Sequence, residues 1–319
     1  MPGRKFAAMG ARRYAYASGT DSTELFQAVM NGREHSVEAW YDYLDRFHTA
    51  LPVANETLFT NLRTAGDRSS YEVLARAAAT AGGRDVLDVG CGNGCLMNEL
   101  LEAFPGGAQF TGIDMCAAEI DAARRTFAAE RRVRFERGRA ETLPFGDASF
   151  DTVVSHQTLN FFPDPRPAIA EIFRVLRPGG AFVFAQNRSL PPELSYVRLL
   201  RAAEAVVKQR YPNMTAPVKD DRRIYHEAGI RDLVRESAKF DLERMRVETF
   251  SVGAMMTPEV AASTFARIYI IASIPSNEEM FAAIEARARE IAAESRSDVL
   301  DLELPFHLVD VRKPILALA

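Results

Sequence analysis

Residues 85–96 constrain the fold of this chain more than any other stretch of its sequence. The first five are apolar except for two aspartates, as in a short strand that is buried in a parallel sheet. Glycines then occupy positions 90, 92 and 94, and apolar residues spaced for one helix face follow. A strand, a glycine turn and a helix bring backbone N–H groups close to a ligand. The segment therefore predicts an α/β fold with a binding site at this turn.

The following residues alternate between strand-like and helix-like patterns. Predicted strands occupy five segments: 85–90, 109–114, 132–137, 150–155 and 180–186. Predicted helices lie between them at 94–104, 117–129 and 166–176. This alternation indicates a parallel sheet with helices on both faces. Ligands bind such sheets beyond the carboxyl ends of the strands, where the strand order reverses.

Two acidic residues refine the interpretation of the glycine turn. Asp88 gives the pattern Asp-x-Gly-x-Gly-x-Gly, which differs from the dinucleotide pattern Gly-x-Gly-x-x-Gly. Asp114 ends the second predicted strand, about twenty residues past the glycines. The segment resembles the first motif of the class I S-adenosylmethionine-dependent methyltransferases, especially the small-molecule branch that includes the ubiquinone and menaquinone biosynthesis methyltransferases. The resemblance runs from about residue 85 to residue 187 and includes 133–145, 150–155, 162–165 and 171–180.

The resemblance implies a fold and a cofactor. We expect a Rossmann-like, doubly wound sheet of seven mostly parallel strands that ends in a C-terminal antiparallel hairpin. We expect S-adenosyl-L-methionine as the methyl donor, S-adenosyl-L-homocysteine as its product, and no metal. The residues that should bind the cofactor are Asp88, Gly90, Cys91, Gly92, Asp114, Met115, Ala140, Glu141 and Ser155.

Two sites in the sequence depart from that family. Arg139 stands where the family usually has an aspartate that receives the adenine amino group. Because a guanidinium cannot accept a hydrogen bond, the adenine contact should come from the backbone or from Glu141. Asn160 and Phe161 stand where the family often has two histidines, so no catalytic role of those histidines carries over.

The segments outside the alternating region indicate a covered site. We expect an N-terminal helical cap at 1–81 and a methyltransferase core at 82–319, with lid insertions at about 188–228 and 255–276. The aromatic residues of the cap either fasten it to the core or line an apolar acceptor pocket. Arg222 and Arg223 either form solvated ion pairs or hold an anionic group of the acceptor. The residues predicted to contact the acceptor are Trp40, Tyr41, Gln157, Asn160 and Phe161.

His156 is the candidate catalytic residue, because it follows the fourth predicted strand, whose end should face the donor methyl group. It either orients or deprotonates the acceptor, or it has a structural or adenosine-facing role, and both alternatives stay open. As a general base it would make the rate rise through a pKa near 6–7.

Composition argues against several classes of partner. The net charge is −4 and basic residues do not gather in one run, so we expect no nucleic-acid partner. No apolar stretch is long enough for a membrane span, and the N-terminus lacks the apolar block of a signal peptide. Three cysteines, without the four ligands of a zinc site, suit a cytoplasmic protein. The oligomeric state is left open, a homo-oligomer included.

The sequence thus predicts a methyltransferase that acts on a hydrophobic small molecule of natural-product or quinone type, at carbon, oxygen or nitrogen. One alternative is a protein of the same fold that binds the cofactor without turnover. Another is a protein or nucleic-acid methyltransferase. The absence of an Asn/Asp-Pro-Pro-Tyr signature after the fourth predicted strand argues against it.

Overall fold

One mixed β-sheet organises the part of the chain that the structure, a computed structural model, describes. The described residues are 25, 28–29, 31–50, 59–104, 106–210, 212–213, 220–265 and 278–315. Within them the sheet has seven strands in the order β3-β2-β1-β4-β5-β7-β6. The strands are β1 (Asp85–Val89), β2 (Gln109–Asp114), β3 (Val133–Arg137), β4 (Phe150–His156), β5 (Leu176–Asn187), β6 (Asp241–Met256) and β7 (Leu300–Arg312).

The direction of the strands fixes where a ligand site can form. β1 to β5 are parallel to one another, and β7 runs antiparallel to both β5 and β6. The strand order reverses between β1 and β4, so the crevice lies beyond the carboxyl ends of these two strands. The predicted Rossmann-like, mostly parallel sheet with an antiparallel C-terminal pair is confirmed.

Helices flank this sheet. They are α1 (Val37–Ala50), α2 (Ser70–Ala81), α3 (Cys95–Ala103), α4 (Ala117–Thr126), α5 (Arg166–Val175), α6 (Ser195–Arg210), α7 (Glu227–Ser237), α8 (Pro258–Phe265) and α9 (Glu278–Glu294). Three of them, α6, α8 and α9, pack on one another. Since α8 and α9 come between β6 and β7 in sequence, a long connection replaces the short turn of a simple hairpin.

Helix α2 shows how the local sequence positions the site. The side chain of Ser69 caps the helix by accepting a hydrogen bond from the Glu72 N–H at 3.1 Å. The buried face repeats at helical spacing: Tyr71, Leu74, Ala75 and Ala78. The helix packs against β4 and β5, which brings its first turn to the carboxyl end of β4.

The helices of the predicted cap lie in different places. α1 packs against α4, whereas α2 lies on the sheet and on α3. Residues 1–24 of the predicted cap, and 214–219 and 266–277 of the predicted lid insertions, lie outside the described residues. The domain boundaries therefore stay predictions. Within the described part of the chain, no helix is both long enough and apolar enough to cross a membrane.

Candidate active site

The glycine turn after β1 leaves no room for a side chain at Gly90. This residue has φ +73°, and an added Cβ would lie 2.9 Å from the Cβ of Thr158. The Gly90 N–H donates to the carbonyl of Ile113 at 2.8 Å, which ties the turn to the end of β2. A bare backbone is thus held at the mouth of the crevice, where a ligand can approach it closely.

Asp114 holds the glycine turn from the neighbouring strand. Its carboxylate accepts hydrogen bonds from the N–H groups of Gly92 and Cys116, each at 2.9 Å and each on a different oxygen. Each carboxylate oxygen keeps a second lone pair for a ligand hydroxyl. Asp114 can therefore support the turn and bind a ligand at the same time.

Asp88 is a buried carboxyl group with an unused acceptor. Only 1% of the residue is exposed, and Oδ2 has no hydrogen-bond partner among the described residues. Burial, with a further contribution from Asp114, raises the pKa of Asp88 to about 8. A positively charged ligand group would supply the missing donor and favour the carboxylate form.

These groups line a cavity of about 310 Å³ at the carboxyl ends of the parallel strands. Its charged half, at the ends of β1 to β3, contains the glycine turn and five acidic or basic side chains beside apolar ones such as Leu44, Ile113 and Met115. The five are Asp88, Asp114, Glu119, Arg139 and Glu141. Its uncharged half, at the ends of β4 to β6 and on nearby helices, is lined by amides, rings and small side chains: Phe59, Tyr71, His156, Gln157, Thr158, Asn160, Phe161, Phe162, Asn187, Tyr196, Met256 and Thr264. The two halves offer different chemistry within one cavity.

Helix α1 covers the charged half. The Tyr41 hydroxyl donates to the carboxylate of Glu141, and the guanidinium carbon of Arg139 lies 4.1 Å from the centre of the Tyr41 ring. Burial and this hydrogen bond hold the pKa of Tyr41 above its usual value, so the hydroxyl remains a donor. Arg139 thus contributes a cation over a ring rather than the acceptor that the family usually has here.

Two further contacts fix α1 to the rim. His48 Nδ1 lies 3.1 Å from Glu119 Oε1, and Trp40 Nε1 donates to the carbonyl of Phe161 at 2.8 Å. Since α1 is tied both to α4 and to the turn after β4, it spans the cavity from one half to the other.

Most of the predicted site residues line the cavity. They are Tyr41, Asp88, Gly90, Cys91, Gly92, Asp114, Met115, Ala140, Glu141, His156, Gln157, Asn160 and Phe161. Ser155 and Trp40 do not, and this corrects their predicted ligand contacts. Ser155 is buried and donates to the Val89 carbonyl at 3.0 Å, which leaves its hydroxyl between two strands. Trp40 is 2% exposed and supports the wall from behind through Phe161.

His156 ends β4 among aromatic rings. Its Nε2 lies 2.8 Å from Ser70 Oγ, and its ring centre lies 4.2 Å from that of Tyr71 and 5.1 Å from that of Phe59. Burial lowers the pKa of His156 to about 3. The expected titration near 6–7 is therefore wrong for this residue, because the imidazole is neutral at physiological pH. Its role towards the acceptor stays a prediction.

Several lining residues were missed from the sequence. Asn187 ends β5 and could have been found from the rule that ligands bind at strand ends. Glu119, in the first turn of α4, also follows a strand end. Tyr71 and Tyr196 lie in helices far apart in sequence, and no local pattern marks them. Arg223 pairs with Asp221 and Glu236 on the surface, and neither it nor Arg222 is among the described residues that line the cavity.

Comparison with known proteins assigns the family. The family described as a methyltransferase domain matches residues 87–184, from β1 into β5. The chain is 33% identical over 189 residues to the O-methyltransferase cnsE of Penicillium expansum, which covers 54% of this chain and 64% of that protein. It is 30% identical over 195 residues to a protein of Mycolicibacterium smegmatis named as a probable S-adenosylmethionine-dependent methyltransferase, which covers 58% of this chain and 73% of that protein. The chain belongs to the S-adenosylmethionine-dependent methyltransferases.

The predicted branch of these methyltransferases is supported as well. A demethylmenaquinone methyltransferase of Clavibacter sepedonicus is 28% identical over 205 residues, 63% of this chain and 76% of that protein. Among solved structures, the phosphoethanolamine N-methyltransferase 2 of Haemonchus contortus with phosphomonomethylethanolamine and S-adenosylhomocysteine aligns with a TM-score of 0.53. It covers 86% of this chain and 60% of that protein, and its 18% identity shows the fold alone.

The charged half fits S-adenosylmethionine, which carries its methyl group on a positively charged sulfur and is already activated for transfer. Asp88 offers an unused acceptor for an ammonium group, and Gly90 and Gly92 line the cavity, where a ligand can meet their backbone. Four carboxylates face one guanidinium in this half, which suits a cation. The described residues contain no group of three or more potential ligands arranged for a metal ion.

Proposed function

We propose that this methyltransferase binds S-adenosylmethionine in the charged half of the cavity and methylates a hydrophobic small molecule in the uncharged half. The observation that carries the proposal is the division of one cavity into a charged end and an aromatic, amide-lined end. Such a lining suits a natural-product or quinone-type acceptor better than a peptide or nucleotide.

In this proposal the protein acts mainly by positioning. Asp88 and Asp114 hold the cofactor at the glycine turn, and α1 covers it so that water is excluded. His156 orients the acceptor through Nδ1, because Nε2 already lies beside Ser70. Bringing the acceptor in line with the methyl group then supplies much of the rate acceleration.

The names of the relatives support a small-molecule acceptor. One relative is named an O-methyltransferase and another a demethylmenaquinone methyltransferase, so oxygen methylation and quinone-type acceptors are both represented. The alternatives, a cofactor-binding protein without turnover and a methyltransferase of proteins or nucleic acids, are not favoured by these names. The proposed compartment is the cytoplasm, and the oligomeric state remains open.

The test separates binding from turnover. Titration calorimetry with S-adenosylhomocysteine should give saturable binding to the wild-type chain and much weaker binding to Asp88→Asn. Incubation with S-adenosylmethionine and a panel of hydrophobic phenols, quinols and amines should then release S-adenosylhomocysteine with at least one acceptor class. Binding without release across the panel would favour the alternative without turnover. No binding at all would contradict the proposed function.

A further inference from the structure

Four amide side chains, here called the amide array, meet at the carboxyl ends of β4 and β5. They are Gln157, Asn160, Gln186 and Asn187. Gln186 is 1% exposed and lies behind the other three, which line the uncharged half of the cavity. Its Nε2 lies 2.8 Å from Gln157 Oε1 and 3.3 Å from Asn160 Oδ1, and it also donates to Asn187 Oδ1.

One backbone group determines which way the amides point. The Asn187 N–H, which can only donate, lies 3.1 Å from Gln157 Oε1 and so identifies that atom as oxygen. The atom of Gln186 that faces this oxygen must then be its NH₂ nitrogen. The NH₂ group carries two hydrogens: one goes to Gln157 Oε1, and the other is shared by Asn160 Oδ1 and Asn187 Oδ1, which both face it as acceptors.

The array therefore presents hydrogen-bond donors to the cavity. The oxygens of Gln157, Asn160 and Asn187 are turned towards Gln186, which leaves three NH₂ groups that have no acceptor among the described residues. Each NH₂ group carries two donors and no acceptor. A ligand that satisfies them must bring oxygen atoms with free lone pairs.

The backbone at Gln157 is strained to keep this arrangement. Its φ is +54°, in the left-handed region that residues other than glycine seldom adopt. A hydrogen bond from the Gln157 N–H to the Ala185 carbonyl at 2.9 Å holds it there. Strain of this kind persists where the surrounding structure fixes a functional group in place.

The rest of the uncharged half excludes ionic acceptors. Among the described residues that line it, His156 is the one side chain of a type that ordinarily titrates near neutrality, and burial lowers its pKa so that it stays uncharged. A carboxylate, phosphate or ammonium on the acceptor would lose its hydration without gaining a counter-ion. The NH₂ groups of the amide array donate hydrogen bonds without carrying a positive charge. They can therefore bind a neutral hydroxyl and also stabilise the oxyanion that it forms on deprotonation.

We infer that the amide array binds the hydroxyl oxygen of an uncharged phenolic or enolic acceptor and stabilises its deprotonated form for methylation at oxygen. This inference rests on the proposed function. The hydroxyl proton leaves to water, the oxygen forms the bond to the methyl carbon, and the carbon–sulfur bond breaks with its electron pair passing to sulfur. Hydrogen bonds to the charged form lower the pKa of the bound hydroxyl, so no strong base is required from the protein.

A chromogenic phenol tests the array directly. 4-Nitrophenol is titrated by absorbance when bound to the wild-type chain in the presence of S-adenosylhomocysteine. We expect its pKa to fall by about one unit on binding, because the NH₂ donors favour the phenolate. In Asn187→Asp a carboxylate oxygen replaces the NH₂ group, so the pKa of the bound phenol should return to or exceed its solution value.

Turnover with the best phenol of the panel gives the second readout. Loss of one such donor lowers kcat/KM by about 10²–10³-fold, and we expect this of Asn187→Asp and of Asn160→Asp, whereas affinity for S-adenosylhomocysteine should stay within about threefold. Asn98→Asp is the matched control, because it makes the same change at an exposed position of α3 outside the cavity.

The outcomes are distinguishable from those for the proposed function. An unshifted pKa, no binding of 4-nitrophenol, or a preference for amines or carboxylated acceptors would overturn the inference while S-adenosylhomocysteine still binds. If one aspartate variant does not fold, the other gives the same comparison. Loss of S-adenosylhomocysteine binding by the wild-type chain would instead overturn the proposed function.

Discussion

In the charged half of the cavity, backbone groups and carboxylates come from three neighbouring strand ends and their turns, all within residues 88–141. In the uncharged half, amides and rings come from segments between residues 59 and 264, and the contacts offered to a ligand come from neutral side chains. The difference follows from the ligands. In the proposed function, fixed backbone and charge recognise the cationic cofactor, whereas shape and a few placed donors recognise the apolar acceptor.

The largest effect on cofactor affinity should come from adding a side chain to the glycine turn at Gly90. In Gly90→Ala the methyl group would overlap with Thr158, and alanine is strained at φ +73°. We expect affinity for S-adenosylhomocysteine, measured by calorimetry, to fall by about 100-fold, or 2.7 kcal/mol. Gly146→Ala is the control, because Gly146 has ordinary space around it. Equal affinity in the two variants would mean that the cofactor does not approach this turn.

Asp88→Asn should weaken cofactor binding almost as much as Gly90→Ala does. A hydrogen bond to a charged group contributes about 1.5–3 kcal/mol, so affinity for S-adenosylhomocysteine should fall by roughly 10–100-fold. For the wild-type chain, affinity should rise with pH towards about 8, the pKa of Asp88, since the ammonium group of the ligand binds the carboxylate form. A flat pH dependence would show that no cationic group contacts Asp88.

The same substitution, Asp88→Asn, should increase the stability of the folded protein relative to wild type as the pH rises. Asp88 titrates at about 8 in the folded protein against 3.8 in the unfolded chain, so the folded protein keeps a proton that the unfolded chain releases. The wild-type chain therefore loses stability as the pH rises through this window. Without ligand, the melting temperature of Asp88→Asn relative to wild type should increase from about pH 4 to about pH 8. A constant difference would mean that Asp88 is not buried as described.

His156→Phe should change the pH dependence of stability in the acidic range. The pKa of His156 is about 3 in the folded protein and 6.5 unfolded, so the unfolded chain takes up a proton that the folded protein does not. Wild-type stability should fall as the pH drops below 6.5, by up to about 1.4 kcal/mol per pH unit. Denaturation by urea across this range should give a shallower slope for the variant. Equal slopes would place the imidazole in water.

The smallest effect on cofactor affinity is expected from Tyr41, in the helix that covers the charged half. Tyr41→Phe removes the hydrogen bond to Glu141 but keeps the ring beneath Arg139. A loss of about 0.5–1.5 kcal/mol corresponds to a two- to tenfold weaker binding of S-adenosylhomocysteine. Tyr41→Leu, which also removes the ring, should weaken binding further. If the two variants behave alike, the hydroxyl carries the whole contribution of Tyr41.

The sequence predicted the charged half well because its chemistry depends on backbone geometry at consecutive strand ends. Gly90 and Asp114 could be placed from the glycine and acid spacing, whereas the seven-stranded sheet with its antiparallel pair followed from the family resemblance. The uncharged half depends on which distant side chains meet, and no local pattern reports that. Phe59 and Tyr71 reach the cavity from the region before β1, and Tyr196 reaches it from α6.

His156 illustrates the same limit for a single residue. Its position at the end of β4 was predictable, whereas its protonation state was not. The neutral form results from contact with Tyr71 and with Phe306, which lies 150 residues further along the chain. A pKa depends on that enclosure rather than on the residue's neighbours in sequence.

The long connection between β6 and β7 contributes to the wall of the uncharged half of the cavity. Its two ends are fixed to each other, because Met256 pairs with Leu300 at the last position of the antiparallel ladder. Met256 and Thr264 nonetheless line the uncharged half of the cavity. Replacing residues 257–299 by a segment of another length would thus reshape the acceptor wall while the strands that carry the cofactor turn stay in register. Changes of substrate can therefore arise here by insertion and deletion, without a compensating change in the sheet.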